Sequence, residues 1–219
     1  MDIGPQNAKG QSVQNPLPPS WLGLPTAPLH IPDSAKIFQL TSPQVRALQG
    51  QISYDASGWN YQLIGSDNQL GRYQYNTQTL ENYGLLAAGS NAQYGTDCVN
   101  YLHCWKSTTI RGSNAFSAYT YNVTSLSAFL TSTATQDHLA YQIVYDLYNT
   151  LASLGAITQQ DTADVVAGMI YVGWKLGAGS LPTNTNISGT GAYAWRFSGI
   201  GNGVAPYNSG RYAVATLSQ

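Results

Sequence analysis

Charge is the scarcest property of this 219-residue chain. Nine Lys and Arg against ten Asp and Glu leave a formal net charge of -1, and charged residues are only 9% of the total. Without a basic field there is nothing to hold a nucleic acid, and no such partner is expected. Long apolar runs are absent too. None approaches the roughly 20 residues that span a bilayer, so no membrane-spanning segment is expected. The first residues, Met1-Asp2-Ile3-Gly4-Pro5, lack a basic region and an apolar core, so they do not read as a signal peptide and imply synthesis in a cytoplasm. Cysteine occurs twice, at Cys98 and Cys104, with Val99 to His103 between them. The pair fits either a small-loop disulfide or two free, packed thiols, and a reducing compartment favours the second. His103 beside Cys104 hints at zinc, but three ligands in one loop have no fourth partner, and no metal is expected. Gly201-Asn202-Gly203 lacks the strand-turn-helix setting of a phosphate loop, and no cofactor is expected.

In place of charge the chain carries 16 Tyr and 22 Gly, with many Asn, Gln, Ser and Thr. Such surfaces suit packing against other proteins or sugars, since interface cores are poor in charge and rich in Tyr and Trp. The other reading is a compositional habit of the source genome. Seven of the ten prolines fall in residues 1–40 (Pro5, Pro16, Pro18, Pro19, Pro25, Pro28 and Pro32). Few regular elements form there, yet Trp21, Leu22, Leu24, Leu29 and Ile31 are interspersed. The stretch reads as an extended arm lying on a neighbouring subunit or on its own domain, with the neighbour preferred.

Thr41-Ser42-Pro43 starts a helix, with Val45, Leu48 and Ile52 on one face, running to about Tyr54 or Asp55. Asn76-Thr77 caps a second helix that carries Leu80 and Tyr83 and ends near Gly89. Residues 90–120 are poorly periodic and read as a loop or short helix with a buried Trp105 and a turn at Arg111-Gly112-Ser113. Ser125 precedes a short helix bearing Leu126, Phe129 and Leu130. The strongest periodicity runs from Ala134 to Leu154, with Gly155 placed to stop it. Thr158 and Asp161 open the next helix, whose Gly168 and Gly173 make a thin face and which ends in Gly177-Ala178-Gly179. Residues 181–219 are rich in Gly, Ser, Asn and Tyr, with Trp195, Arg196, Phe197 and Tyr207. They read as a loop-rich extension packed on the domain or as a second docking segment.

Between the first two helices lies Asp55-Ala56-Ser57-Gly58-Trp59-Asn60-Tyr61, followed by Gly71-Arg72-Tyr73-Gln74-Tyr75 and Leu80-Glu81-Asn82-Tyr83-Gly84. An acid is presented at a helix end beside a glycine-turned, aromatic loop, a setting suited to general-acid chemistry. This stretch resembles the lysozyme-like (transglycosylase-type) domains of phage and bacterial cell-wall hydrolases. Their pattern is a catalytic Glu, then Ser-x-Gly-x-Asn/Asp-Tyr, then Gly-x-Tyr-Gln-Phe and a helix ending in Leu-x-x-x-Gly-Tyr. Phe129-Leu130, Gln136, Ala140 and the run from Ala167 to Gly179 extend the resemblance over about residues 43–180.

The resemblance implies a mainly α, lysozyme-like domain over 41–180, a bundle of about six helices flanked by arm 1–40 and extension 181–219. It puts Asp55 in the catalytic position and Ser57, Tyr73 and Gln74 along a substrate groove, where Tyr73 and Gln74 either hold sugar hydroxyls or fill the space between two helices. Trp59 offers a flat face for a sugar ring or, in the other reading, is a core residue. Where the family has Glu, this chain has Asp. One methylene less withdraws the proton by about 1 Å, and misplacements of that size lower rates about a hundredfold. The other reading of Asp55 is a helix-end polar residue. Glu81, the chain's one glutamate, reads as a member of a solvated helix face. Two functions follow as expectations. One is a virion structural protein of a tailed phage, a baseplate or tail-tip component tied to other subunits through residues 1–40 and 181–219. The other is an active virion-associated peptidoglycan hydrolase.

Overall fold

Gln44 caps the start of the first helix by reaching back to Thr41. Gln44 Oε1 accepts from Thr41 N at 2.8 Å and from its hydroxyl at 3.1 Å, as the Thr-x-x-Gln spacing requires. The helix, α1, runs Ser42–Ser57. The computed structural model describes residues 37–106, 108–110, 119–176 and 204–215. After α1 come α2 (Thr77–Asn82), α3 (Ser90–Tyr94), 3-10 turns at Gly95–Asn100 and Leu102–Cys104, β1 (Thr108–Ile110) and β2 (Tyr119–Tyr121). Then follow α4 (Leu126–Thr131), α5 (Thr133–Ser153), α6 (Ala163–Leu176) and α7 (Val204–Ala215). The chain is mainly helical. Residues 1–36, the Arg111-Gly112-Ser113 turn, Gly177-Ala178-Gly179 and Trp195 to Phe197 lie outside the described residues.

By contacts the described chain divides into two units. One holds residues 37–48, 144–176 and 204–215, the other residues 49–143.

In the first unit, Ile37 and Leu40 are fully buried and close a two-residue turn on each other. This last piece of the predicted arm lies on its own chain: the Phe38 ring stacks on Tyr148 at 4.1 Å. Gly155, at φ +69°, ends α5 where the sequence places the stop, with Ala156 N returning to Leu151 O at 2.9 Å. The next helix starts later than its sequence signal. Thr158 and Asp161 form a separate turn, in which Asp161 N donates to Thr158 O at 3.2 Å and the Asp161 carboxylate accepts from Thr158 N. Only Thr162 then caps α6, its carbonyl accepting from Val166 N at 3.0 Å.

Residues 204–215, where the sequence predicts loop, form α7. Its Gly210 lies against α6, so that a Cβ there would stand 2.6 Å from Ala167 O, and a Cβ at Gly168 would stand 2.6 Å from Tyr207 Cδ2. Two glycines thus bring the helices into close contact, and Arg211 bridges to Asp164 at 2.6 Å. Burial disfavours the charged Asp164, but hydrogen bonds from Thr162 and the Arg211 guanidinium outweigh it and hold the carboxyl below its usual range.

In the second unit, α2 is capped by the Asn76 side chain, which accepts from Thr79 N at 2.8 Å. It ends at Asn82 rather than near Gly89, because Gly84 turns at φ +76° and Leu85 N returns to Leu80 O at 2.8 Å. The weakly periodic region holds α3, the two 3-10 turns and an antiparallel two-stranded sheet with Thr108 opposite Tyr121. Trp105 is buried there, donating from Nε1 to Val99 O at 2.8 Å. Cys98 and Cys104 are buried and free. Burial raises the Cys98 thiol to about 11, with the nearby Cys104 adding to the rise.

Candidate functional site

The site begins at the last turn of α1, in the second unit. Asp55 is exposed, and its Oδ1 accepts from Gln51 Nε2 one turn back at 3.0 Å. Ser57 faces the other way. Its hydroxyl donates to Arg72 O at 2.6 Å and accepts from Asn60 N at 3.0 Å, so it fastens the helix end to the Gly71–Tyr75 segment. Trp59, at φ +68°, turns its Nε1 back onto Gly50 O at 3.0 Å and sets its half-buried ring 4.8 Å from that of Tyr54. Both aromatic rings therefore lie on the end of α1.

Of the two remaining sequence candidates, Tyr73 points inward and Gln74 folds back on its own loop. Tyr73 is 2% exposed and donates to Asp137 Oδ1 at 2.9 Å. Gln74, at φ +53°, donates from Nε2 to Gly71 O at 2.9 Å and so closes its own turn. The structure brings Ser57 and the Tyr73 segment together. It places Asp55 on the outer surface of the helix end and the Tyr73 hydroxyl in the interior.

Behind Tyr73 lies a polar cluster that sequence reasoning did not select. Arg72 is fully buried. Its Nη1 donates to Tyr61 Oη at 2.7 Å, and Tyr61 donates in turn to Asp137 Oδ2 at 2.8 Å. Asp137 thus takes one tyrosine hydroxyl on each oxygen. Burial, and then the negative Asp137, raise both hydroxyls well above the usual tyrosine value, so they remain donors at any physiological pH. Arg72 Nε and Nη2 have no hydrogen-bond partner among the described residues. The guanidinium lies instead over the Tyr61 ring at 4.9 Å and the Tyr73 ring at 5.9 Å, where the ring quadrupoles attract the charge.

Gln136 locks the cluster. Its Oε1 accepts from Arg72 N at 2.8 Å, while its Nε2 donates to Tyr61 O and Phe129 O, both at 3.0 Å. Tyr75 Oη reaches Gln136 O at 2.6 Å. Gly71 is required here because a Cβ would overlap the Gln136 amide, and its φ of +74° disfavours any side chain. The signal for Gln136 was in the sequence, as part of the Phe-Leu-x5-Gln pattern. Asp137 stands beside it unmarked, and Arg72 enters the sequence reading only as a member of the Gly71-Arg72-Tyr73-Gln74-Tyr75 segment.

Chemically this cluster is a carboxylate held by two hydroxyls and sealed from solvent. That arrangement orients a loop. A cleft of about 500 Å³ opens elsewhere in the unit, lined by Gln62, Asn100, Leu102, Ser125, Leu126 and Leu130 among others, and none of the five sequence candidates lines it. Glu81 serves the structure as well, since its carboxylate accepts from Gly89 N and Asn91 N, each at 2.8 Å, at the start of α3. Among the described residues, no group of three His, Cys, Asp or Glu is placed to hold a metal, and no helix is long and apolar enough to cross a membrane. Comparison with protein families, curated proteins and solved structures finds no match for this chain.

Proposed function

We propose that the chain is a structural component of a tailed-phage virion, a baseplate or tail-tip subunit built on a lysozyme-like domain that has lost glycosidase activity. The observation that carries this reading is the arrangement around Asp55. Cleaving a glycosidic bond needs a protonated carboxyl aimed at the leaving oxygen inside a cleft. Asp55 has the shorter side chain and lies exposed on the end of α1, tied to Gln51 of its own helix. The residues standing where the family lines its groove, Tyr73 and Gln74, direct their polar atoms to Asp137 and Gly71. What is left of the family pattern is a scaffold, locked by Gln136 and the Arg72–Tyr61–Asp137–Tyr73 cluster. Low charge and abundant tyrosine favour contacts with neighbouring subunits.

The test is murein solubilisation by the purified, folded chain across about pH 4 to 8, the range in which a carboxyl acid–base pair operates. No clearing is expected from the wild type or from Asp55→Glu. Clearing by the wild type that vanishes in Asp55→Ala would overturn this reading in favour of an active virion-associated hydrolase. Deleting residues 1–35 is expected to leave the helical signal intact and to remove the chain from assembled particles.

A further inference from the structure

We propose that the cleft beside Phe38 is a receptor for the proline-rich segment Pro16–Pro28 of a neighbouring copy of this chain, an inference that rests on the subunit-tying role given above to the N-terminal arm. The cleft belongs wholly to the unit that does not contain Asp55. It has a volume of about 630 Å³ and is lined by Phe38, Gln39, Tyr148, Asn149, Ile157 and Gln159 among others, none of its lining residues being charged.

The turn that presents Phe38 is built to hold an aromatic face outward. Phe38 has φ +48°, a conformation unfavourable for a bulky side chain. Surrounding bonds enforce it. Ile37 and Leu40 exchange backbone hydrogen bonds at 3.0 and 2.8 Å. Gln39 accepts from Tyr148 Oη and donates to Thr158 O, each at 2.9 Å. The Phe38 ring lies 12° from parallel to Tyr148, yet Phe38 remains 57% exposed. Backbone strain maintained to keep a phenyl ring in water points to a ligand.

The sequence supplies a segment of matching chemistry. Pro16-Leu17-Pro18-Pro19 and Pro25-Thr26-Ala27-Pro28 are two Pro-x-x-Pro motifs, and residues 11–32 contain no Asp, Glu, Lys or Arg. Prolines fix φ near the polyproline value, so such a segment loses little entropy on docking. Aromatic-lined grooves take its rings, and neighbouring donors take its exposed carbonyls. Here the aromatics are Phe38 and Tyr148, and the side-chain amides of Asn149 and Gln159 stand beside them. Within one chain only residues 29–37 separate Pro28 from Phe38, so that chain's own Pro25–Pro28 would have to double back to enter the cleft. A neighbour's segment enters without reversing. The contact is head-to-tail, so it generates a ring or a filament.

Sedimentation velocity on the full chain tests this. The wild type is expected to associate in a concentration-dependent way. Phe38→Ala, which removes the groove's aromatic face, is expected to weaken association at least about thirtyfold, as is the arm variant Pro16→Ala/Pro19→Ala/Pro25→Ala/Pro28→Ala. Mixing the two should yield a one-to-one heterodimer that neither forms alone, since one intact arm then meets one intact groove. Asn149→Asp, placing a charge in the cleft with the circular dichroism unchanged, should weaken association as well. Association untouched by the groove variants would overturn the proposal. So would a monomeric wild type in which Trp21 is protected from quencher, which would mean that the arm docks on its own chain. A monomer whose Phe38 resonances shift on titration with chitotetraose would overturn it in favour of a neutral saccharide. The two readings fail separately: murein clearing leaves the association measurement standing, and a monomeric chain leaves the murein result standing.

Discussion

Two aspartates set the character of the motif region. Asp137 is sealed between the Tyr61 and Tyr73 hydroxyls, and Asp55 is turned to solvent. A hydrogen bond to a buried charged group contributes about 1.5–3 kcal/mol, and removing its donor leaves the acceptor desolvated. Tyr73→Phe deletes one donor without changing volume, so urea unfolding should show a loss of about that size. Asp55→Ala, on the exposed helix end, should stay within about 0.5 kcal/mol of wild type. If the order of these two losses were reversed, the assignment of a structural role to the Tyr73–Asp137 pair would fall. The residue scale also explains the unsatisfied nitrogens of Arg72: aromatic faces cover them, and Gln136 fixes the backbone that carries them.

At the scale of elements, two short-range devices stand out. The first is the α6–α7 contact. Gly168→Ala raises helix propensity by about 1 kcal/mol but drives a Cβ to 2.6 Å from Tyr207 Cδ2 and 2.8 Å from the Tyr207 carbonyl oxygen. A ring can swing away, whereas a helix backbone cannot without moving the element. Overpacking of about 1–3 kcal/mol therefore outweighs the propensity gain, and a lower Tm is expected. A Tm unchanged or raised would mean that α7 does not lie against α6 at Gly168. The second device joins α2 to α3 through Glu81. Backbone donors at Asn91 and then Gly89 hold its carboxyl below the ordinary 4.5. A carboxyl depressed in the folded state stabilises above its unfolded value and ceases to do so as pH falls through the folded one. Protection of the amides at residues 90–94, relative to their intrinsic exchange rates, should fall as pH drops below about 4.5, while Glu81→Ala should show low protection at neutral pH with little further acid response. Equal protection in the variant and the wild type would remove Glu81 from this role.

For the molecule as a whole, scarcity of charge governs association. A docking cleft and a proline-rich segment (residues 11–32) that both lack charged residues give salt nothing to screen. Self-association should therefore change little between low ionic strength and about 0.5 M salt, read by sedimentation; a steep loss with salt would point to a charged interface elsewhere.

The sequence by itself determined the helices whose ends carry local chemistry. Thr41 with Gln44, Asn76, Ser125 and Gly155 each act within one turn, so their capping and stopping roles were legible without the fold. It also marked Gly71 and Gln136 as members of one pattern. Tertiary structure decided the rest. The α7 helix forms in a stretch that reads as loop-rich, because Gly210 allows a backbone approach to Ala167 that no local pattern encodes. Arg72 and Asp137 became a buried cluster through Tyr61, a long-range hydrogen bond being invisible to spacing along the chain. Whether Asp55 faces a cleft or open water depends on the direction of one side chain at a helix end, and only packing fixes that direction.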